Sequence, residues 1–215
     1  MKSQVRGGTR WKRFAVVMVP SVAATAAIGV GLAQGALAAS FSISGQEFKV
    51  KADSLVGKDF VQYGSVASGK DLHGKPFAEP VAVSGFSEAW ITNMCQSVVT
   101  PDVPFIGNVS LELRAGTAEK KPVYAKGIYL DVSSLKTDAE FGNIDIGVAA
   151  GQLPKSKGKP GIQPDTQANP YGFAQRAEDA TLTGVEQTAW ATTAATFKLP
   201  DLKLKLHTGA PKECF

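Results

Sequence analysis

The chain has 215 residues, with 23 basic and 19 acidic side chains for a formal charge of +4. Lys2, Arg6, Arg10, Lys12 and Arg13 supply five of the bases and no acid precedes Glu47, so residues 39–215 hold 18 bases against 19 acids, a balance of −1. The basic character belongs to the leading segment. A nucleic-acid partner, which needs a basic stripe on the folded domain, is therefore not expected.

The leading segment sets the expected compartment. "MKSQVRGGTRWKR" is followed by an uncharged, Ala-rich run from Phe14 to Ala39, and Ala36 and Ala38 form a small-residue pair at its end. Basic region, apolar region and small pair together describe a secretory signal peptide over residues 1–38, with the mature chain starting at or near Ala39. The apolar run also has the length of an uncleaved anchor over residues 14–39. Either way the protein is expected to be secreted or associated with the cell envelope, touching membrane only through this segment.

Residues 39–215 are enough for one domain with a real core, and period-two alternation recurs along them. "SFSISGQEFKVKA" puts Phe41 and Ile43 in phase, breaks at Gly45 and Gln46 like a bulge, and resumes with Phe48 and Val50. "YGSVASG" around Ser65 reads as a turn, and "EPVAVSGFSEAWI" as a strand. "NVSLELRAG" follows with Val109, Leu111 and Leu113 in phase, and its sequon at Asn108 reads as a strand start. "KPVYAKGIYLDVSSL", "EFGNIDIGVAA" and "ATLTGVEQTAWATTAATFKLPDLKLKLHTG" continue the series, rich in threonine, valine and aromatics. No amphipathic helix follows Ala39. The expectation is an all-β single domain of about eight strands: a sandwich, an open roll or a distorted barrel.

Two segments stand apart. Residues 152–176 hold Pro154, Pro160, Pro164 and Pro170 with three glycines, so they read as a long Pro/Gly/Lys loop. Lys155, Lys157 and Lys159 are its candidate contacts with an anionic surface, against the simpler reading of a solvated lysine cluster. At the C-terminal end, Leu202, Leu204 and Leu206 alternate with Lys203 and Lys205, as expected of an edge strand with leucines in the core and lysines in water. The two cysteines, Cys95 and Cys214, are an even number in an oxidising compartment. They are expected to form a disulfide that pins this last strand.

The chain offers little chemistry. No G-x-S-x-G elbow is present, and the S-x-x-K matches at Ser133–Lys136 and Ser156–Lys159 lack any helix to carry the serine. His73 and His207 are far apart in sequence, sit beside turn residues and read as surface histidines. Asp138, Glu140 and Asp145 lack the dense oxygen-ligand loop of a strong calcium site. No phosphate loop and no zinc spacing occur, so no cofactor is expected.

"RGGTRWKRFAVVMVPSVAATAAIGVGLAQGALAASFSISGQEFKV", "GFAQRAEDATLTGVEQTAWATTAATFKLPDLKLKL" and the terminal "ECF" resemble a family of small exported proteins of filamentous, Streptomyces-type actinobacteria. The resemblance covers nearly the whole chain, and many members carry the label cholesterol esterase. It implies no catalytic residue that can be carried over. Two functions are expected from different classes: a non-enzymatic envelope or extracellular β-protein that binds lipid or another envelope component, or a sterol or lipid ester hydrolase with a non-standard site.

Overall fold

The computed structural model describes residues 43–118, 121–154, 158–164 and 166–215. The signal or anchor segment, the Ala39 start and Phe41 lie outside the described residues, as do Lys155 and Lys157. From Ser40 onward the chain clusters as one unit.

The all-β expectation holds. Among the described residues nine strands run β1 (Ile43–Ser44), β2 (Phe48–Lys70), β3 (Pro76–Thr92), β4 (Met94–Val103), β5 (Gly107–Ala115), β6 (Val123–Gly142), β7 (Asp145–Ala149), β8 (Phe173–Lys198) and β9 (Lys203–Thr208). One 3-10 turn, Ala150–Gln152, is the only helical piece among the described residues. The sheet order is β7-β8-β6-β3-β2-β4-β5-β9. All pairings are antiparallel except β1, which runs parallel to the far end of β2 with Ile43 opposite Gly69. The break at Gly45 and Gln46 is thus a corner between two strands rather than a bulge within one.

Length dictates the shape of the sheet. A straight strand of 26 residues, the length of β8, would reach ~85 Å, whereas a compact chain of this size has a radius of gyration of ~16 Å. The strands must coil. β8 accordingly borders β7 and then β6 along one edge, while β2 follows its other edge from Ala174 to Ala189. Because β2 also borders β3, and β3 borders β6, the pairings β2–β3–β6–β8–β2 form a closed cycle. The result is one sheet rolled on itself, not two stacked sheets and not a regular barrel. β4, β5 and β9 leave the cycle as a three-stranded wing.

The turn expected at "YGSVASG" is a correction, because those residues lie inside β2. Two glycines, Gly57 in β2 and Gly85 in β3, mark packing rather than chain reversal. A side chain at Gly57 would run into the Phe86 ring, and a Cβ at Gly85 would stand 2.8 Å from Tyr129 Cε1. Both glycines lie in extended backbone where an aromatic ring crosses the strand.

Two apolar clusters result. Leu55, Phe60, Phe86, Ile128, Leu130 and Val185 belong to the first. Val61, Tyr63, Val81, Val83 and Leu153 belong to the second. Leu55 and Val61 are six residues apart, so strict alternation would place both on one face. Asp59, at φ 51°, breaks the alternation and sends β2 from one cluster to the other. Asp59 Oδ2 accepts a hydrogen bond from Ser87 Oγ (2.7 Å), which holds the switch in place.

Candidate functional site

The wing is where the fold leaves an apolar surface uncovered. Its registers place Gln96, Leu113 and Leu204 side by side across β4, β5 and β9, then Val98, Leu111 and Leu206, then Thr100, Val109 and Thr208. Opposite residues share a face, so these rows form one largely apolar face with Val109, Leu111 and Leu113 in the expected phase; Leu113 packs against the first cluster, and Leu204 and Leu206 are left exposed. The β4–β5 turn continues it outward, with Phe105 fully exposed and Ile106 53% exposed.

Here the sequence expectation for β9 fails. The strand is at the edge, as expected, but its leucines do not enter a core: Leu202, Leu204 and Leu206 are 49%, 57% and 66% exposed. The reason lies on the other face, where Cys95, Arg114 and Lys203 share one row and Ser97, Glu112 and Lys205 the next. Cys95 and Cys214 are bridged, with Cα atoms 5.9 Å apart. That bond draws the tail after β9 across the lysine face. Gly209 N donates to Asn108 O, Lys212 N to Ser110 Oγ (3.0 Å) and Cys214 N to Ser97 Oγ (3.0 Å). Lys49 Nζ then reaches Glu213 Oε2 at 2.9 Å and lies over the Phe215 ring. The disulfide pins this crossing tail directly, and β9 only through it.

The lysine face also brings together three residues that the sequence does not connect. Ser110 lies directly opposite His207 in the β5–β9 register. Glu112, two residues on, has Oε2 3.0 Å from His207 Nε2. A hydrogen bond from Arg114 first, then one from His207, hold the Glu112 carboxyl below its ordinary range, with partial burial working the other way. Serine, histidine and carboxylate are the residue types of a hydrolytic triad. The geometry is that of a clasp instead. Ser110 is 1% exposed, its Oγ accepts the Lys212 N–H of the tail, and no hydrogen bond joins it to His207 among the described residues. Period two in "NVSLELR" puts Ser110 and Glu112 on one face, but their register with His207 is a tertiary fact.

The remaining expected residues are dispersed. His73 is exposed in the β2–β3 turn, where its backbone N–H donates to Asp71 Oδ1. Ser133 and Lys136 are each engaged elsewhere, Ser133 Oγ donating to Glu47 and Lys136 Nζ standing 3.8 Å from Glu186. Asp138 and Glu140 are exposed, and Asp145 pairs with Arg176 at 2.8 Å. Among the described residues no group of three ligating side chains that could hold a metal occurs. Lys159 Nζ stands 3.2 Å from Asp59 Oδ1, tying the long loop to the switch in β2. Partial burial raises the Asp59 carboxyl, but Ser87 and Lys159 together hold it below the ordinary range.

That loop packs over the second cluster with Leu153, Ile162 and Ala168. Gln163 N donates to Tyr63 Oη (3.0 Å) and Gly161 N to Tyr129 Oη (3.1 Å). Among its described residues no regular element lies between the 3-10 turn, which ends at Gln152, and β8, which takes in the last residues of the 152–176 span from Phe173. Asp131, two residues past Tyr129 on β6, has its carboxyl pushed up by burial from 3.8 to about 6. The sign follows from linkage. An unfolded Asp releases its proton first, so stability falls as pH rises from 3.8 through about 6, and the deficit persists above that. Asp131→Asn removes the deficit. Its urea midpoint is expected to match the wild type at about pH 4 and exceed it at about pH 7.5, and an equal gap at both pH values would refute the assignment.

A cavity of about 30 Å³ opens between the cycle and the wing, lined by Val50, Leu55, Ile91, Met94 and Leu130 among others. It has room for about one water, against ~300–1,000 Å³ for sites that enclose a small molecule. An acyl chain or a sterol has no interior site there. The apolar chemistry of this region is on its surface.

The chain matches a family of unknown function (DUF6230) over residues 44–215. It belongs to that family. No curated protein and no solved structure matches it. The matched region spans every strand from the second residue of β1 onward, with the wing, the tail and both cysteines inside it.

Proposed function

We propose that the protein is exported and acts outside the cytoplasm as a non-catalytic β-protein that engages a lipid surface through the leucine face of its wing. The observation that carries this reading is the exposure of Leu204 and Leu206 on one face of the wing and of Phe105 at its β4–β5 turn. Each such side chain gains about 1.5–3 kcal/mol on full burial. Three together approach the ~8 kcal/mol of a micromolar association. Contiguous apolar surface of this kind marks interaction sites on soluble domains. The basic-then-apolar segment over residues 1–38 supports export. N-terminal sequencing of protein from culture medium should read from Ala39 or close to it; recovery of the full chain from membranes alone would favour the anchor.

A second reading, hydrolysis of sterol or lipid esters, has one specific observation behind it: the meeting of Ser110, His207 and Glu112. Acyl transfer needs a reachable nucleophile, a base bonded to it and donors for the oxyanion. Ser110 is covered by the tail and spends its oxygen on Lys212 N–H. The decisive assay offers a chromogenic fatty-acyl ester and a cholesteryl ester to the wild type beside Ser110→Ala and His207→Ala. No turnover is expected in any of them. Turnover in the wild type that vanishes in a still-folded Ser110→Ala variant would establish the hydrolase.

A further inference from the structure

We propose that the wing lies in the headgroup layer of an anionic bilayer, leucine face down, with Phe105 and Ile106 at the β4–β5 turn as its inserted tip. This rests on the lipid-surface reading above and adds the inserted tip, the depth and the lipid class.

The tip is the first reason. Phe105 holds φ 68° and is fully exposed, and Ile106 beside it is half exposed. A bulky residue in the left-handed region is strained, and a bare phenyl ring in water is unfavourable as well. Neither cost is offset by any contact within the described fold. The turn is held in shape by Ile106 N donating to Val103 O (3.1 Å), so the ring is presented by a formed hairpin rather than by a loose loop.

The two faces are the second reason. An element that lies in a membrane interface is apolar on one side and cationic on the other, buried ~5–10 Å at the boundary of headgroups and acyl chains. The wing has this division by register: Leu111, Leu204 and Leu206 on one face, with Leu113 at its inner end packed against the first cluster, and Arg114, Lys203 and Lys205 on the other. The two carboxylates on the lysine side are already engaged, Glu112 by Arg114 and His207, Glu213 by Lys49. Lys203, Lys205 and Lys212 make no ion pair among the described residues. With the leucines below the boundary, these three ammonium groups sit at headgroup level, where an anionic lipid suits them.

The edge is the third reason, because it limits the depth. The outer side of β9 pairs with no strand among the described residues. Its unpaired N–H and C=O groups need water or headgroups and cannot enter hydrocarbon. Asp102 flanks the tip and imposes the same limit. The wing therefore rests in the interface and does not span the bilayer.

The test uses the full chain and the chain beginning at Ala39 in parallel, each carrying Phe105→Trp, with vesicles of brominated phosphatidylcholine with and without phosphatidylglycerol. The difference spectrum against the matching parent protein isolates the introduced indole from the native tryptophans, Trp90 and Trp190 in both chains and Trp11 in the full one. Emission from the introduced indole is expected to shift to the blue and be quenched on vesicles containing phosphatidylglycerol. Phe105→Ser with Ile106→Ser should weaken partition of the Ala39 chain at least ~10-fold, and Lys203→Gln with Lys205→Gln ~10-fold or more on anionic vesicles only. Binding that leaves the introduced indole unquenched and is indifferent to the tip variant overturns this inference and leaves the lipid-surface reading standing. Equal binding to neutral vesicles overturns the lipid class, and failure of the Ala39 chain to bind any vesicle overturns both.

Discussion

Cys214→Ser is expected to lower the melting temperature by ~10–15 °C. The bridge joins residues 119 apart in sequence, and the chain-entropy relation gives about 4–5 kcal/mol for a loop of that length. At ~2–4 °C per kcal/mol for a domain of this size, the shift follows. The tail adds a local consequence. Without the bond, the N–H groups of Lys212 and Cys214 lose their hold on Ser110 and Ser97, and both hydroxyls open to solvent. Hydrogen exchange should therefore speed up first at Lys212 and Cys214, then along β9, while β2 and β8 keep their protection. Differential scanning calorimetry with exchange measurements reads both effects. A shift below ~3 °C would mean that the tail is held by its hydrogen bonds and the Lys49–Glu213 pair instead.

Phe86→Ala should destabilise the fold by about 3–5 kcal/mol, the usual range for losing a buried phenyl ring. Phe86 is 1% exposed and lies against Gly57 on the neighbouring strand. Its centroid is 5.3 Å from that of Phe60, which in turn stands 5.0 Å from Phe141. The hole would be bounded by extended backbone at Gly57, which has no side chain to relax inward. Urea unfolding of both proteins measures the difference. A companion change, Gly57→Ala with Phe86→Ala, should recover part of the loss by refilling the space that the ring leaves. No recovery would show that Gly57 is needed for its backbone and not for the ring.

The Gly57–Phe86 contact also explains which parts of the fold are legible in the sequence. Alternation identifies strands wherever one face is apolar and the other wet, as in "NVSLELRAG" and the β9 ribbon. It fails in β2, where Gly57 and Gly64 look like punctuation and Asp59 shifts the phase midway. The rings that need Gly57 and Gly85 are supplied by other strands, so no local window contains the reason. The disulfide is legible because only one pairing exists. Which face the tail takes is not, since that depends on Cys95 sharing a row with Lys203. For the same reason, reading β9 in isolation sends its leucines to a core they never reach. The clasp of Ser110, Glu112 and His207 is half legible: the first two share a face by period two, and the third arrives only through register.

Flotation of the Ala39 chain with phosphatidylcholine–phosphatidylglycerol vesicles tests the central claim most directly, because removing the leading segment leaves the folded domain as the only source of affinity. The wild type should rise with the vesicles. The variant with Leu204→Ser and Leu206→Ser, checked for an unchanged near-ultraviolet circular dichroism spectrum, should stay at the bottom of the gradient. A wild type that stays at the bottom, or a leucine variant that floats as well as the wild type, would contradict the account.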